Sequence, residues 1–334
     1  MPRQDWFVMT SSSFGNPLVQ QRSLLKGLAV VELEDQAVLE LDGPDAKSWL
    51  HSLTSQNILN LETGESTESL LLDPQGHVEQ QLKVIAIEVG LLLILPKSKL
   101  EDFQAWLQKM KFRTKVEIIN RSDLRVIGSF APLEQALYSW VDQFSAGSPG
   151  GVRYAESARD FEYQEHLVGI DQKINLEPAS PMALEGLRIA AGRPAINDID
   201  ERALPHEFDW LASAVHMSKG CYRGQESVAK IHNIGHPPRR LIILNLEEGD
   251  ILSQQGDEVF YQDKLVGKVR AAALHYEAGS VALALVNRNT PYLDLMIQTA
   301  TGRYAATQEV LVPFDAGKAA NLPRPSAFKL SGKK

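Results

Sequence analysis

The cysteine-containing stretch of the chain, residues 219–226, reads Lys219-Gly220-Cys221-Tyr222-Arg223-Gly224-Gln225-Glu226. It holds the only cysteine, between the cations Lys219 and Arg223, whose positive potential favours the nucleophilic thiolate. The glycines Gly220 and Gly224 let the backbone turn sharply or approach a ligand closely. A helix that opens at residues 224–227 would favour the thiolate further through its free amide groups. The stretch therefore predicts a functional thiol, and the alternative is a buried, inert cysteine in a turn.

The composition is that of a folded protein, with 334 residues, of which 44% are hydrophobic and 23% charged. This length predicts two or three domains. The formal net charge of -8 argues against general nucleic-acid binding, which requires an electropositive surface. One cysteine cannot form an intrachain disulfide, a four-cysteine zinc site or a self-contained iron–sulfur site. The chain has neither a signal-peptide pattern nor an apolar run of about 18 residues, so we expect a cytoplasmic protein without nucleic-acid or membrane partners.

The first half of the chain alternates between strand and helix patterns. Residues 1–20 are rich in serine and polar groups and predict a flexible N-terminal arm. A β-hairpin is predicted from residues 28–33 and 37–41. Period-two hydrophobicity predicts further strands at 69–73, 78–87, 91–95, 116–119 and 124–128. Helical spacing predicts helices at 46–53, 99–110 and 132–144. Because the strands come in adjacent pairs, as antiparallel sheets require, an α+β fold is expected.

A glycine-rich link at residues 145–151 predicts a subdomain seam. Beyond it, a helix is predicted at 183–191, ended by Gly192. Arg188 is the only cation of this helix and is a candidate site residue, with a solvated helix charge as the alternative. The acidic residues 197–202 lack the spacing of a calcium loop and predict a solvated loop, and His51 is also interpreted as solvated. His232 and His236 have metal-like spacing, but no metal site is predicted because a glycine and two prolines break the helix there.

The C-terminal part predicts a small antiparallel β-barrel. Short strands recur at close spacing, at residues 241–246, 258–261, 265–269, 280–285 and 296–300. The last residues, 316–334, contain several lysines and predict a basic flexible tail.

Taken together, these stretches resemble the YgfZ folate-binding family, relatives of the aminomethyltransferase of the glycine-cleavage system. Residues 187–192, Leu-Arg-Ile-Ala-Ala-Gly, are followed some thirty residues later by the cysteine octapeptide, which is similar to that family's signature at every fixed position. Four further segments fall in the family's order: 43–46, 53–57, 71–76 and 281–285. The resemblance covers most of the chain, and the octapeptide is its most specific part.

The resemblance implies an aminomethyltransferase-like, folate-binding α+β body of two subdomains at residues 21–237, followed by a small antiparallel β-barrel at 238–315. It implies a role in iron–sulfur cluster assembly or repair, with tetrahydrofolate as ligand and with iron–sulfur client enzymes or assembly proteins as partners. Cys221 is then the central functional residue. The folate-binding and motif residues carried over with it are Lys219, Gly220, Tyr222, Arg223, Gly224, Gln225, Glu226, Arg188 and Asn57.

Two differences from the aminomethyltransferases argue against aminomethyl transfer as the activity of this chain. The helix position at which the aminomethyltransferases contact the pterin through a glutamate is Ala190, which cannot accept a hydrogen bond through its side chain. The segment that carries paired aspartates in those enzymes contains Gln80 and Gln81, which are uncharged. A tetrahydrofolate-dependent aminomethyltransferase or demethylase of a small amine is therefore the second hypothesis. A non-catalytic binding module with a structural cysteine is the third.

Overall fold

The computed structural model describes residues 15–156, 159–248 and 251–320. In this part of the chain five α-helices form, and their bounds are α1 Pro17–Leu25, α2 Ala46–Leu53, α3 Leu100–Met110, α4 Pro181–Ala190 and α5 Gln225–Ile234. Side-chain caps begin two of them: the Asn16 side chain accepts from the amide of Leu18 (2.9 Å), and the Ser180 side chain accepts from that of Met182 (3.2 Å). Both of these helices have proline in the first turn, where no amide hydrogen is needed.

Two five-stranded sheets form the body. The first has the spatial order β10-β1-β7-β9-β8, with β1 Ala29–Glu32, β7 Leu124–Ser129, β8 Tyr138–Val141, β9 Gln164–Gly169 and β10 Glu177–Pro178. The second has the order β3-β4-β5-β2-β6, with β2 Gln36–Asp42, β3 Ser66–Leu72, β4 Val78–Ile87, β5 Gly90–Pro96 and β6 Glu117–Asn120. All pairings in these sheets are antiparallel except that of β1 with β10. The α+β prediction is confirmed.

A closed antiparallel barrel follows the body, in the order β11-β14-β13-β12-β15-β16. Its strands are β11 Arg239–Leu246, β12 Glu258–Tyr261, β13 Lys264–His275, β14 Gly279–Asn287, β15 Leu295–Gln298 and β16 Arg303–Val310. The predicted barrel is confirmed, and β16 is a strand that the spacing of the sequence did not reveal. Closure removes the exposed sheet edges that five strands would have left unpaired.

Hydrophobic cores join these layers. One core lies between the two sheets and packs residues of β1, β7 and β9 against residues of β2, β4 and β5, together with α1 and α4. The other face of the second sheet packs against α2 and α3. A third core joins the end of β3 to residues 203–228 and to the outer surface of the barrel. The body is therefore two packed sheets, with α2 and α3 on the outer face of the second sheet, and the outer surface of the barrel packs against the body.

The predicted hairpin of residues 28–33 and 37–41 is wrong. β1 pairs with β7 and β10, whereas β2 pairs with β5 and β6, so the two strands lie in different sheets. Both strands are largely buried and find long-range partners. The short connection at residues 33–35 crosses from one sheet to the other instead of turning back on its own strand.

The helix predicted at 132–144 is also wrong, because this segment contains strand β8. Trp140 is fully buried, and its indole N–H donates to the carbonyl of Thr67 (2.9 Å), which fixes the segment across the two sheets. The link at 145–151 is anchored: the amide of Ser148 donates to Ala212 O (2.8 Å) and that of Val152 to Leu211 O (2.9 Å). Residues 17–20 of the predicted arm belong to α1, and the predictions for residues 1–14 and 321–334 lie outside the described residues.

A buried ion cluster crosses the layers of the body. The guanidinium of Arg193, just after α4, donates to Glu68 of β3 (2.8 Å) and to Asp142, which follows β8 (2.9 Å). All three side chains are almost completely buried. The hydroxyl of Ser213 also donates to Glu68 (2.8 Å), and the Gln81 amide does so from β4. One carboxylate therefore collects donors from three separate parts of the chain.

We expect Arg193→Met to lower the free energy of unfolding by about 3–5 kcal/mol, because it leaves two buried carboxylates without their cation. The matched control is Arg223→Met, which breaks an ion pair with Glu79 in which both side chains are more than a third exposed. That control is expected to cost at most about 1 kcal/mol. Urea denaturation of both variants gives the comparison, and equal losses would contradict the structural role of the cluster.

Candidate functional site

The cysteine loop, residues 219–226, leads into α5. Gly224 is the N-cap residue and has the left-handed backbone angle φ of 85°. The helix begins at Gln225, which confirms the prediction that a helix opens here. The Cys221 side chain is exposed, so the thiol is available to partners in solution and is not a buried core cysteine.

Lys219 fixes the loop from inside. Its buried ammonium donates to the carbonyls of Thr54 (2.5 Å) and Gln56 (3.1 Å) and to that of His51. It also lies over the ring of Tyr222, 5.1 Å from the centroid. Burial lowers the pKa of Lys219 to about 7, while the three carbonyl acceptors favour the ammonium with its three N–H donors. This lysine is thus an anchor for the 51–56 segment.

The other flanking cation is paired as well. Arg223 donates to both carboxylate oxygens of Glu79 on β4, at 2.6 and 3.2 Å. Among the described residues, the thiol of Cys221 has no hydrogen bond, and neither flanking cation is directed at it. The expected positive potential at the thiol is therefore weakened, because Lys219 points into the protein and Glu79 balances the charge of Arg223.

Segments 53–57 and 71–76 meet at the cysteine loop. Gly224 lies against the turn at 73–76, so close that a Cβ atom would be 2.6 Å from Asp73 O. Asn57 lies beside the carbonyls that bind Lys219, and its own buried side-chain oxygen has no partner in the described part of the chain. The Gln225 side chain closes the loop by donating to Lys219 O (3.2 Å), whereas Gly220 and Glu226 are exposed. His51, predicted to be solvated, is half-buried and accepts from the amide of Ile58 (3.3 Å).

We expect Gly224→Ala to destabilise the protein by about 1–3 kcal/mol, because alanine is strained at a positive φ and its Cβ would collide with Asp73 O. Gly220→Ala is the matched control, since a Cβ there meets no atom within 4 Å and its φ is not in the left-handed region. Hydrogen exchange of the first turn of α5 should rise in the first variant only. Equal exchange in both would show that the loop does not depend on this contact.

A cavity of about 470 Å³ lies between the sheets and α4. Its walls are the crossing between β1 and β2, strands β4 and β5, Trp140 of β8, the residues Phe161 and Tyr163 just before β9, Glu165 of β9, α4 and the segment after it. This size suits a small organic molecule. Of the predicted site residues, only Arg188 lines the cavity, so the structure separates it from the cysteine loop and Asn57.

Arg188 holds the cavity wall. Its five N–H groups are all used: two bonds go to Glu185, two to Asp198 (2.7 and 3.2 Å) and one to Arg193 O (2.5 Å). The solvated alternative for Arg188 is wrong. The loop at 197–202 is solvated at Asn197, Glu201 and Arg202, but Asp198 is buried and Asp200 pairs with Arg239 (2.7 Å) and with Arg270. Arg188 positions the wall and has no N–H left for a ligand.

The cavity has an aromatic side that sequence reasoning missed. Trp140, Phe161 and Tyr163 line it, and next to them Lys83 pairs with Glu165. The hydroxyl of Tyr163 donates to Glu165 Oε1 (3.1 Å). Burial, and then the charge of Glu165, raise the pKa of Tyr163 far above its usual value, so this hydroxyl stays protonated. The wrong prediction of a helix at 132–144 accounts for missing Trp140, and the alternating pattern at 138–141 was the signal for this strand.

Buried hydrogen bonds connect the cavity to the cysteine loop. Gln81 lines the cavity and donates to Glu68, which accepts from Ser213 (2.8 Å). The carbonyl of Ser213 accepts from the side chain of Gln56 (3.2 Å), whose own carbonyl binds Lys219. The two halves of the site are thus separate but physically connected.

In the ranges that the structure describes, no three His, Cys, Asp or Glu side chains are grouped so that they could hold a metal ion. No helix in those same ranges is both long enough and apolar enough to cross a bilayer.

A solved structure shows which fold this chain has. The crystal structure of glycine cleavage system aminomethyltransferase T from Bartonella henselae matches this fold with a TM-score of 0.71 over 90% of this chain and 89% of that one, at 15% sequence identity. The chain therefore has the aminomethyltransferase fold. No protein-family model matches the sequence.

Proteins with similar sequences include YgfZ proteins and transferases. The tRNA-modifying protein YgfZ of Vibrio atlanticus is 24% identical over 245 residues (70% of this chain, 74% of the relative), and an aminomethyltransferase of a Thermotoga species is 23% identical over 323 residues (87% of each). A chloroplastic protein of Arabidopsis thaliana, provisionally named a transferase, is 25% identical over 274 residues, covering 73% of this chain but only 61% of that relative's length. The resemblance stated from the sequence is confirmed: the chain is similar in sequence to YgfZ proteins and aminomethyltransferases, and in fold to an aminomethyltransferase.

Proposed function

We propose that this protein is a folate-linked accessory factor for the assembly or repair of iron–sulfur clusters in client enzymes. Tetrahydrofolate would bind in the cavity, and Cys221 would be the functional thiol. The observation that carries the proposal is the pairing of a ligand-sized cavity with an exposed thiol, joined through the buried bonds of Glu68 and Lys219.

The cavity suits the ring system of a folate. A volume of about 470 Å³ is in the range of small-molecule sites, and three aromatic side chains provide flat surfaces for a heterocycle. Arg188 and Arg193 keep the wall rigid through bonds that are complete without a ligand. When bound, tetrahydrofolate would supply one-carbon or redox chemistry, and the protein's residues would bind and orient it.

The thiol is suited to contact with another protein. Cys221 is exposed on a loop that Lys219 and Arg223 fix to the body from two sides. A single thiol cannot hold an iron–sulfur cluster, so any cluster contact requires ligands from a client or assembly protein. Such a contact places the clients at the surface of the cysteine loop, outside the cavity.

The transferase hypothesis is the second candidate, since relatives are named transferases. The carboxylates of the cavity are nevertheless engaged: Asp142 pairs with Arg193 and Glu165 with Lys83. The side chain of Gln81 donates to Glu68 and accepts from the amide of Ile196 (3.0 Å), and its carboxamide cannot act as a base. Among the described residues that line the cavity, no buried carboxylate is therefore free of a cation to act as the base that aminomethyl transfer requires, and the unpaired Glu34 and Asp35 are exposed to solvent.

Direct action on tRNA is also raised by the names of the YgfZ relatives. The net charge of -8 disfavours non-specific binding to the phosphate backbone. We therefore retain the prediction that nucleic acid is not a direct partner. The cytoplasmic location likewise stays a prediction. The same holds for the domain boundaries at residues 21–237 and 238–315.

We expect the purified protein to bind tetrahydrofolate with a stoichiometry of one in isothermal titration calorimetry, with no turnover of methylated amines. The reason is a cavity with aromatic walls whose buried carboxylates, Asp142 and Glu165, are both paired with cations. The same titration with tRNA is the comparison. Amine turnover in the presence of tetrahydrofolate would instead favour the transferase, and the absence of any folate binding would remove the folate link.

We expect Cys221→Ser to lose most of the capacity to sustain iron–sulfur enzyme activity in cells under oxidant stress, while folding and folate binding remain unchanged. The reason is that an exposed thiol contributes reactivity and almost no packing. Ser218→Ala, a change of similar size at an exposed neighbour, is the control. Full function of the serine variant would favour the third hypothesis, in which the cysteine is merely structural.

A further inference from the structure

The solvent-exposed part of the cavity wall is acidic. Among the described residues that both line the cavity and are exposed, three are carboxylates and none is a cation. The carboxylates are Glu32, Glu34 and Asp35 in the crossing between β1 and β2, and the other exposed lining residues are Pro178, Pro181 and Asn197. A cavity opens where its lining residues reach solvent, so these six residues form its mouth.

The cavity lining as a whole carries an excess of formal negative charge. In the described part of the chain six carboxylates line the cavity, against three cations. The carboxylates are Glu32, Glu34, Asp35, Asp142, Glu165 and Glu185, and the cations are Lys83, Arg188 and Arg193. Each of these cations already pairs with at least one carboxylate. No cation of this described lining is therefore free to receive an anionic group of a ligand.

Two of the carboxylates at the mouth have no counterion. Glu32 pairs with Arg125 (2.8 Å), whereas Glu34 and Asp35 form no ion pair with any described cation. The nearby ammonium of Lys97 donates to the backbone carbonyl of Glu34 (3.4 Å), and the amide of Lys97 donates to that of Asp35 (2.7 Å). These bonds tie the crossing to the end of β5. The two negative charges are thus held at the mouth.

The charge of Asp35 acts on the inside of the cavity. Burial is the main cause of the raised pKa of Tyr163, and the charge of Asp35 adds to it. A charged group of a ligand at the mouth would be subject to the same field, which weakens with distance and with salt.

A folate consists of a ring system and an anionic tail, and these two parts have different requirements. The aromatic side chains of the cavity suit the ring. The tail is a chain of one or more glutamates, and each added glutamate brings one more negative charge. Burial of such a charge without a cation is costly, so the tail has to leave the cavity through the mouth. There it meets Glu34 and Asp35.

We propose that Glu34 and Asp35 make the cavity selective for tetrahydrofolate with a single glutamate over its polyglutamylated forms. The inference rests on the proposed folate function and adds which form of the ligand the site takes. The selectivity comes from repulsion between like charges at the mouth, so it acts on the tail and is independent of how the ring is recognised.

The test compares the binding of two probes by calorimetry: tetrahydrofolate with one glutamate and tetrahydrofolate with three. At a salt concentration of about 0.01 M, where charges interact over about 30 Å, we expect the unmodified protein to bind the triglutamate about 10-fold more weakly. At about 1 M salt, where the range falls to about 3 Å, the difference should shrink to less than about 2-fold.

Variants of the mouth then identify the residues responsible. Glu34→Gln with Asp35→Asn should bring the two affinities within about 2-fold of each other at low salt, and Glu34→Lys with Asp35→Lys should reverse the preference. The matched control is Glu101→Gln with Asp102→Asn, an exposed pair of the same sequence on α3. It removes the same charge from the far face of the second sheet, so it should keep the preference for the monoglutamate.

Three results would count against the inference. Equal or tighter binding of the triglutamate by the unmodified protein at low salt would overturn the selectivity, and this measurement needs no variant. An unchanged preference in the folded mouth variants, or an equal loss of preference in the α3 control, would overturn the role of Glu34 and Asp35. Failure of the unmodified protein to bind either probe would remove the proposed folate function itself, whereas the first two results leave it intact.

Discussion

The buried carboxylate of Glu68 is the constraint on which the body of this protein depends. It lies on β3 and accepts from Arg193 after α4, from Ser213 in a long loop and from Gln81 on β4. A buried charge is tolerated only when it is paired and hydrogen-bonded, so these segments must meet at one point. The same meeting point places the Arg193 segment on the cavity wall and the Ser213 loop beside the anchor of the cysteine loop.

The cavity exists because the chain crosses between two sheets. Had residues 28–41 formed a hairpin, the crossing at residues 33–35 would not stand at the cavity wall. The opposite wall comes from Trp140 of β8, from Phe161 and Tyr163 just before β9, and from α4, which Arg188 ties to Asp198. At the position of Ala190, where the resemblance implies a pterin-binding carboxylate, this chain has a methyl group. Among the described residues that line the cavity, the buried side-chain polar atom without a hydrogen-bond partner is Glu165 Oε2.

Much of the fold was predictable from local patterns. The helices α2, α3, α4 and α5 and most strands follow from hydrophobic period, caps and glycines, because these signals act within a few residues. The predictions of a hairpin at 28–41 and of a helix at 132–144 were wrong for the same reason. The pairing of β1 with β7 and the burial of Trp140 are long-range choices, which override local propensity.

The sequence by itself determined the family resemblance, the α+β body with its barrel, and the cysteine octapeptide as a distinct functional stretch, since these depend on residue identity and order. Only the tertiary structure decided how the parts meet. It turned Lys219 inward onto three carbonyls, paired Arg223 with Glu79 and placed Arg188 in a different part of the site from Cys221. It alone revealed Glu165, because an unpaired acceptor is defined by what surrounds it in space and leaves no trace in the order of residues.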